Sequence, residues 1–308
     1  MKKFVLFGLM AVLAAVILIS GCDKATGPDE SFTAGDQEAM KSQIEGDPLF
    51  TSDNMTLNDQ DPQNLGKTAT PILPRAWGRR ITSASRTHTF EKISDELVIV
   101  TVKHTISGEV KIAAKYTPQD TGVTIISKPF TEETTRKIKF VPRQGNVGAR
   151  WRPSEVSAVK GGSVNPQAIL TFNQMVVYVG PDTLVINDPN DYFLKLPTFI
   201  GRQMPTLGTG APITVRLTLT STESDTDFVF LHRPFMGLNA STFKPAHARM
   251  TMISQSGSGP YTRTYEISWS SHIQGRHHFF VSGITRNSLF DDVAPWATQL
   301  WGVPYIVQ

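Results

Sequence analysis

The chain carries one cysteine in 308 residues. That excludes an intramolecular disulfide and any multi-cysteine metal site. Catalytic signatures are absent as well. A serine hydrolase elbow requires Gly-x-Ser-x-Gly. Ser163 follows Gly161-Gly162, but Asn165 stands where the last glycine belongs, and the glycines flanking Ser258 have the wrong spacing. A glycosidase needs two opposed carboxylates, and no spacing pairs Glu109, Glu155, Glu223 or Glu266. Neither His-x-His nor His-Glu-x-x-His occurs. Charged residues make up only 19% of the chain against 40% hydrophobic ones, the balance of a globular protein with a core. No catalytic residue and no cofactor is therefore assigned.

The position of the lone cysteine is informative. Lys2 and Lys3 form a positive start, and Phe4 to Ser20 is almost wholly apolar. Such a run is a secretion signal or a membrane anchor. It ends in Ile19-Ser20-Gly21-Cys22, which resembles the bacterial lipobox: an aliphatic residue, two small residues, then cysteine. The resemblance covers residues 1–22 and implies a lipoprotein signal peptide, 1–21, cleaved between Gly21 and Cys22. The thiol of Cys22 would carry a diacylglycerol thioether and its freed amine a further acyl chain. Two or more chains anchor a protein stably where one does not. The implied partner is a lipid bilayer and the implied place the cell envelope, with the choice of membrane open. The body lies outside the cytoplasm, because the positive flank stays inside, so intracellular nucleic acid is not an expected partner. The plainer alternative is an uncleaved N-terminal helix with an incidental cysteine.

Charge is unevenly distributed. Ten acidic and three basic residues lie between Asp23 and Thr70, against 25 basic and 17 acidic residues from Pro71 onward. An acidic tail thus precedes a basic body, which suggests an anionic partner or a tail that shields the body. Residues 22–74 have the polar, aromatic-poor composition of a flexible tether, with a short helix expected from Asp36 to Glu45 and Gly46 as its stop. As coil, about 50 residues would span on the order of 40 Å. Asp53, Asn54, Asp59 and Asp61 are oxygen donors, but they lack the spacing of a calcium loop and read better as solvated linker.

From Ile81 the apolar period is two, so the fold class is all-β: two β-sandwich-like domains after the signal peptide and a disordered acidic tether. The first β-rich domain is 75–197. It is expected as many short strands, punctuated by Pro118, Gly122, Pro129, Gly161-Gly162 and Gly180-Pro181, with a hairpin turn at Ser94-Asp95. The second is 198–308, entered through "LPTFIGRQMPTLGTGAP". Strands follow at "ITVRLTLTS", "DFVFLHR", "ARMTMIS", "YTRTYEISW", "GRHHFFVSGITR" and "LWGVPYIV". The tryptophan strand, the Gly275–Val281 strand, a polar loop and a last strand make this stretch similar to bacterial immunoglobulin-like or fibronectin-III-like domains. It departs from them in placing His278 or Phe279 where a tyrosine is usual. Pro304 implies an edge or a bulge in the last strand.

Five of seven histidines lie in the last domain: His232, His247, His272, His277 and His278. His277 and His278 should point to opposite faces of a strand, so ordinary histidines are expected rather than a metal site. "INDPNDYF" carries Asn187, Asp188, Asn190 and Asp191, which read as turn chemistry more readily than as a calcium junction. The first domain is basic, and Arg150-Trp151-Arg152 places an aromatic between two cations, a pattern able to hold an anionic glycan or stack on a sugar. Alternating lysines on strands are equally the solvated face of a sheet. Together these readings imply an envelope-anchored, non-catalytic binding or scaffolding module for a protein or glycan. The alternatives are an envelope enzyme or accessory acting on polysaccharide, or a metal-binding envelope protein.

Overall fold

The computed structural model of the protein describes residues 32–51, 60–61, 71–143, 150–164, 169–197, 203–236, 243–271 and 273–308. Gly21, Cys22, Asp53, Asn54, Asp59, Asn165 and His272 lie outside these residues, and so does the whole apolar N-terminus. Among the described residues no helix is long and apolar enough to cross a membrane.

The chain is nearly all β. Two helices, α1 (Ala34–Gly46) and α2 (Pro48–Thr51), precede a short β1 (Gln60–Asp61). Three long strands follow: β2 (Leu73–Ser94), β3 (Leu97–Lys115) and β4 (Thr124–Pro142). Then come β5 (Trp151–Ser157), β6 (Val159–Ser163), β7 (Leu170–Val179), β8 (Asp182–Ile186), β9 (Phe193–Lys195) and β10 (Thr206–Leu207). The remainder is β11 (Pro212–Ser221), β12 (Phe228–Met236), β13 (Phe243–Arg249), β14 (Thr251–Ser256), β15 (Tyr261–Ser270), β16 (Gly275–Ile284), the one-turn α3 (Arg286–Phe290) and β17 (Thr298–Val307).

These strands form two sheets, antiparallel except for the short β10–β17 pairing. The larger runs β1-β2-β3-β4-β6-β17-β16-β12-β13, and the smaller runs β14-β15-β11-β7-β8. Alternation decides which layer each side chain enters. In β16, Phe279 and Val281 pack toward the smaller sheet with Trp269, Val215 and Leu217. Phe280 and Ile284 point the other way, against Trp77, Val110 and Ile112 of β2 and β3. Strands β12, β16 and β17 are therefore a middle layer buried on both faces, which is why "LWGVPYIV" reads as a continuous apolar run.

The seven strands from Pro212 onward divide between facing sheets: β11, β14 and β15 in one, β12, β13, β16 and β17 in the other. Both sheets also recruit strands from before residue 198. β7 pairs with β11, and β6 pairs with β17. The stretches 75–197 and 198–308 thus share both sheets. The segment read as one strand, "ARMTMIS", is two: β13 ends in the larger sheet and β14 begins in the smaller, with buried Met250 between them.

The short strands expected between residues 97 and 142 are two long ones. Val98, Val100, Val102, Ile106, Val110, Ile112 and Ala114 of β3 are all buried, so the even-numbered face stays in phase throughout. The expected breaker Pro129 does not end β4: it pairs with Glu109, beside the Gly108–Phe130 pair. A side chain at Gly108 would collide with the Arg80 carbonyl across the sheet. Gly161 and Gly162 lie inside β6 for the same reason, where it passes close between β4 and β17. Pro304 is tolerated within β17 without making that strand an edge. β6 pairs only as far as Gly302 and the β10 pairing starts at Ile306, so Pro304 falls where no partner on that side needs its missing N–H.

Part of the stretch expected as flexible tether is folded onto the body. α1 begins at Thr33 with a reciprocal capping box to Asp36. Met40, Ile44, Leu49 and Phe50 are fully buried against Val98, Val100, Val102, Ile138, Phe140 and Trp151. A helix of this length is marginal alone. Each buried apolar side chain contributes about 1.5–3 kcal/mol, so docking is what orders it.

Candidate functional site

The basic residues of β2–β5 fall on two faces. Residues paired directly across a sheet share a face. The register Ile99↔Lys139, Thr101↔Lys137, Lys103↔Thr135 and Thr135↔Lys160 puts four lysines on the outer one. Each meets a carboxylate: Lys103 with Glu133 at 2.7 Å, Lys139 with Glu155 at 2.8 Å, Lys160 with Asp188 at 3.0 Å and Lys137 with Asp191 at 3.3 Å. Over this stretch the face is a ladder of Ser, Thr and matched charge; farther along β3, Lys111 stands exposed on the same face.

The opposite face carries Arg86, His88, Arg136 and Phe90, over which α1 and α2 lie. Arg86 bonds Glu45 at 2.7 Å and the Thr51 carbonyl at 3.1 Å. Arg136 donates to the Leu49 carbonyl at 3.0 Å. From β16, Arg276 reaches Asp47 at 2.6 Å. His88 Nε2 stands 3.3 Å from Glu45, and burial lowers its pKa. The acidic tail meets the basic body here within one chain.

Arg150-Trp151-Arg152 belongs to this same junction. Trp151 is 2% exposed and packs edge-on against Phe32 at 6.3 Å between ring centroids. Its carbonyl accepts a hydrogen bond from Gln43. Arg150 lies 4.0 Å from Asp36. The indole therefore offers no face to a sugar: its alternation on β5 points it inward, under the N-terminal helix.

His232 and His247 lie side by side across β12 and β13, their rings 6.3 Å apart. Among the described residues no three His, Cys, Asp or Glu side chains group as a metal set. His278 is buried beside Arg136, 3.3 Å from its guanidinium, and stacks on Phe280. Burial, with Arg136 next, holds its pKa well below the ordinary value. His277 is on the other face of β16 and bonds the Ile273 carbonyl. In "INDPNDYF", Asp188 caps a 3-10 turn, Pro189–Asp191, through the Asn190 amide, and both aspartates are engaged by lysines. That is turn chemistry. "SGSGP" likewise forms the loop between β14 and β15, with Gly257 and Gly259 at positive φ.

Three buried polar groups had no signal in the sequence. Arg79 and Glu132 form an ion pair at 2.7 Å with side chains 2% and 4% exposed, and Glu132 also accepts from Trp296 Nε1 and Thr298 Oγ1. Arg263 and Asp227 pair at 2.7 Å with no exposed surface, and Arg263 also donates to the carbonyls of Glu223 and Ser224. His232 Nε2 lies 2.7 Å from Ser282 Oγ. The last pair has the distance of a base and a nucleophile. Both residues are buried on β12 and β16 in the middle layer, 3% and 4% exposed, and line a small cavity with Trp77, Arg79, Glu132 and Trp296. Tertiary pairing brings these groups together: β12–β16 register sets His232, opposite Phe280, diagonally next to Ser282, Arg79 lies in line with Lys128 and reaches diagonally to Glu132, and Asp227 meets Arg263 from the loop before β12.

No family model and no curated protein matches the chain. Among solved structures, it is similar to the SMP domain and two C2 domains of extended-synaptotagmin 2 at 7% identity and a TM-score of 0.11, over 88% of this chain and 94% of that one. A likeness at that score carries no argument about fold or function.

Proposed function

We propose that the protein is a cell-envelope lipoprotein, held to a bilayer through acylated Cys22, whose β body is a non-catalytic binding or scaffolding module for an envelope protein or glycan. The observation that carries this reading is Ile19-Ser20-Gly21-Cys22 directly behind Lys2, Lys3 and an apolar run. The absence of any other cysteine is in keeping with it, since an exported free thiol oxidises or mispairs. The immunoglobulin-like reading of the C-terminal stretch is supported by its seven strands, divided three and four between facing sheets. Two carboxylates, one buried and one half-buried, are already engaged within the chain. Glu132 is locked to Arg79, and the carboxylate of Glu223 is occupied by the amides of Arg286 and Asn287.

The test is fractionation and intact mass of the full chain against Cys22→Ala. The expected result is a membrane-bound wild type with a lipid mass increment, and a variant that lacks the increment and leaves the membrane. A Cys22→Ala protein that stays in the membrane with unchanged mass overturns the reading.

A further inference from the structure

We propose that residues 33–51 are a detachable clasp that sets how far the β body stands from its anchor. This rests on the reading of Cys22 as acylated. Only nine residues, 23–31, separate Cys22 from the first described residue, Phe32. Nine residues reach no more than about 30 Å at full extension. With the clasp closed, the body is held near the headgroups. With α1 and α2 released as far as β1, about 37 residues connect the anchor to the body, and the maximum reach rises roughly fourfold, to about 125 Å.

The geometry of the contact fits a closure that opens as a unit. The segment touches the body through one apolar stripe, Met40, Ile44, Leu49 and Phe50. Around that stripe, three of its four carboxylates face body arginines: Asp36 toward Arg150, Glu45 on Arg86 and Asp47 on Arg276. The fourth, Glu38, faces Lys41 of its own helix. The strands beneath pair backbone to backbone with one another, and their hydrogen bonds to the clasp use side chains, Gln43 to the Trp151 carbonyl and Arg86 and Arg136 to clasp groups, so their ladder survives its removal. Short elements held by few buried contacts open at lower free energy than the sheets they cover. The acidic character of this stretch thus serves as an internal complement to the arginines of the body.

The experiment uses the full acylated chain in vesicles. A Ser258→Cys substitution on the exposed β14–β15 loop carries a donor dye, and the lipid headgroups carry the acceptor. The double variant Met40→Asp, Ile44→Asp opens the clasp, and Arg276→Asp is a second, milder route. In wild type, amides 34–50 should exchange about 100-fold faster than those of β3. In the double variant they should lose protection altogether while β3 keeps its own, and energy transfer should fall as the mean distance rises. Amides 34–50 exchanging no faster than β3 in wild type would overturn the clasp. So would unchanged energy transfer in a variant whose 34–50 amides are unprotected. Failure of the acyl reading appears separately, as wild-type protein that does not bind the vesicles, with exchange at 34–50 still reporting on the clasp.

Discussion

The two faces of the β2–β4 strands handle charge in different ways. On the outer face four lysines pair with carboxylates at the surface, two of them on the turn after β8. On the inner face, cations lie under other parts of the chain: Arg86 and Arg136 under α2, and Arg79 against Glu132 beneath Trp296. Exposed pairs contribute about 0–1 kcal/mol, because water screens the attraction and ordering two long side chains costs entropy. Buried pairs pay heavily for desolvation, and the loss of one partner leaves an uncompensated charge. A surplus of basic residues therefore says little about a ligand until each cation is placed on a face.

The comparison can be broken at its strongest point. Glu132→Ala leaves Arg79 buried without its carboxylate and removes the acceptor of Trp296 and Thr298. It should cost about 3–5 kcal/mol in urea unfolding. Adding Arg79→Met should recover much of that loss, and a double variant no more stable than the single would show that the charge is not the cause. An intermediate effect is expected at the clasp. Phe50→Ala removes a fully buried ring, a change that costs about 3–5 kcal/mol in a closed core. Here the loss should be confined to exchange protection of 34–50, with the main unfolding transition moving by less than about 1 kcal/mol.

Proton linkage sharpens the contrast between buried and exposed cations. Lys128 donates to the carbonyls of Ser288 and Asp291 from an interior position, and burial lowers its pKa from 10.5 to about 8. Between those values the unfolded chain holds the extra proton, so stability should rise as pH goes from about 8 to 10.5. Lys128→Met should flatten that rise. His278 is likewise held neutral when folded, so stability should fall as pH drops below 6.5, where only the unfolded imidazole gains a proton. His278→Gln should reduce that acid sensitivity. The smallest effect belongs to the outer face: Lys139→Ala should change stability by about 0–1 kcal/mol. A larger loss would mean that its pair with Glu155, or its place over the Phe193 ring, is not the screened surface contact described above.

Much of the fold was legible where periodicity is local. α1 was expected over Asp36–Glu45 and runs Ala34–Gly46, because helix formers, an acidic start and a glycine stop all act within a few residues. The hairpin expected at Ser94-Asp95 turns one residue later, at 95–96, and the turn expected at "SGSGP" joins β14 to β15. Pro129 was misleading because its meaning depends on the neighbouring strand: a breaker in isolation, it pairs with Glu109 inside the ladder, beside the close backbone approach at Gly108. Trp151 was misread for a related reason. Two flanking arginines suggested a surface, but strand alternation turned the ring inward, and a helix more than a hundred residues away in sequence covered it.

By itself the sequence determined the β class and the place of the helix, because alternation and capping are local properties. Tertiary structure decided which charges are paired, which aromatics are buried and that the acidic tail returns to the body. Those outcomes depend on side chains brought together from distant positions by register, and neither a carboxylate nor an arginine carries in its own neighbourhood any mark of the partner it will meet.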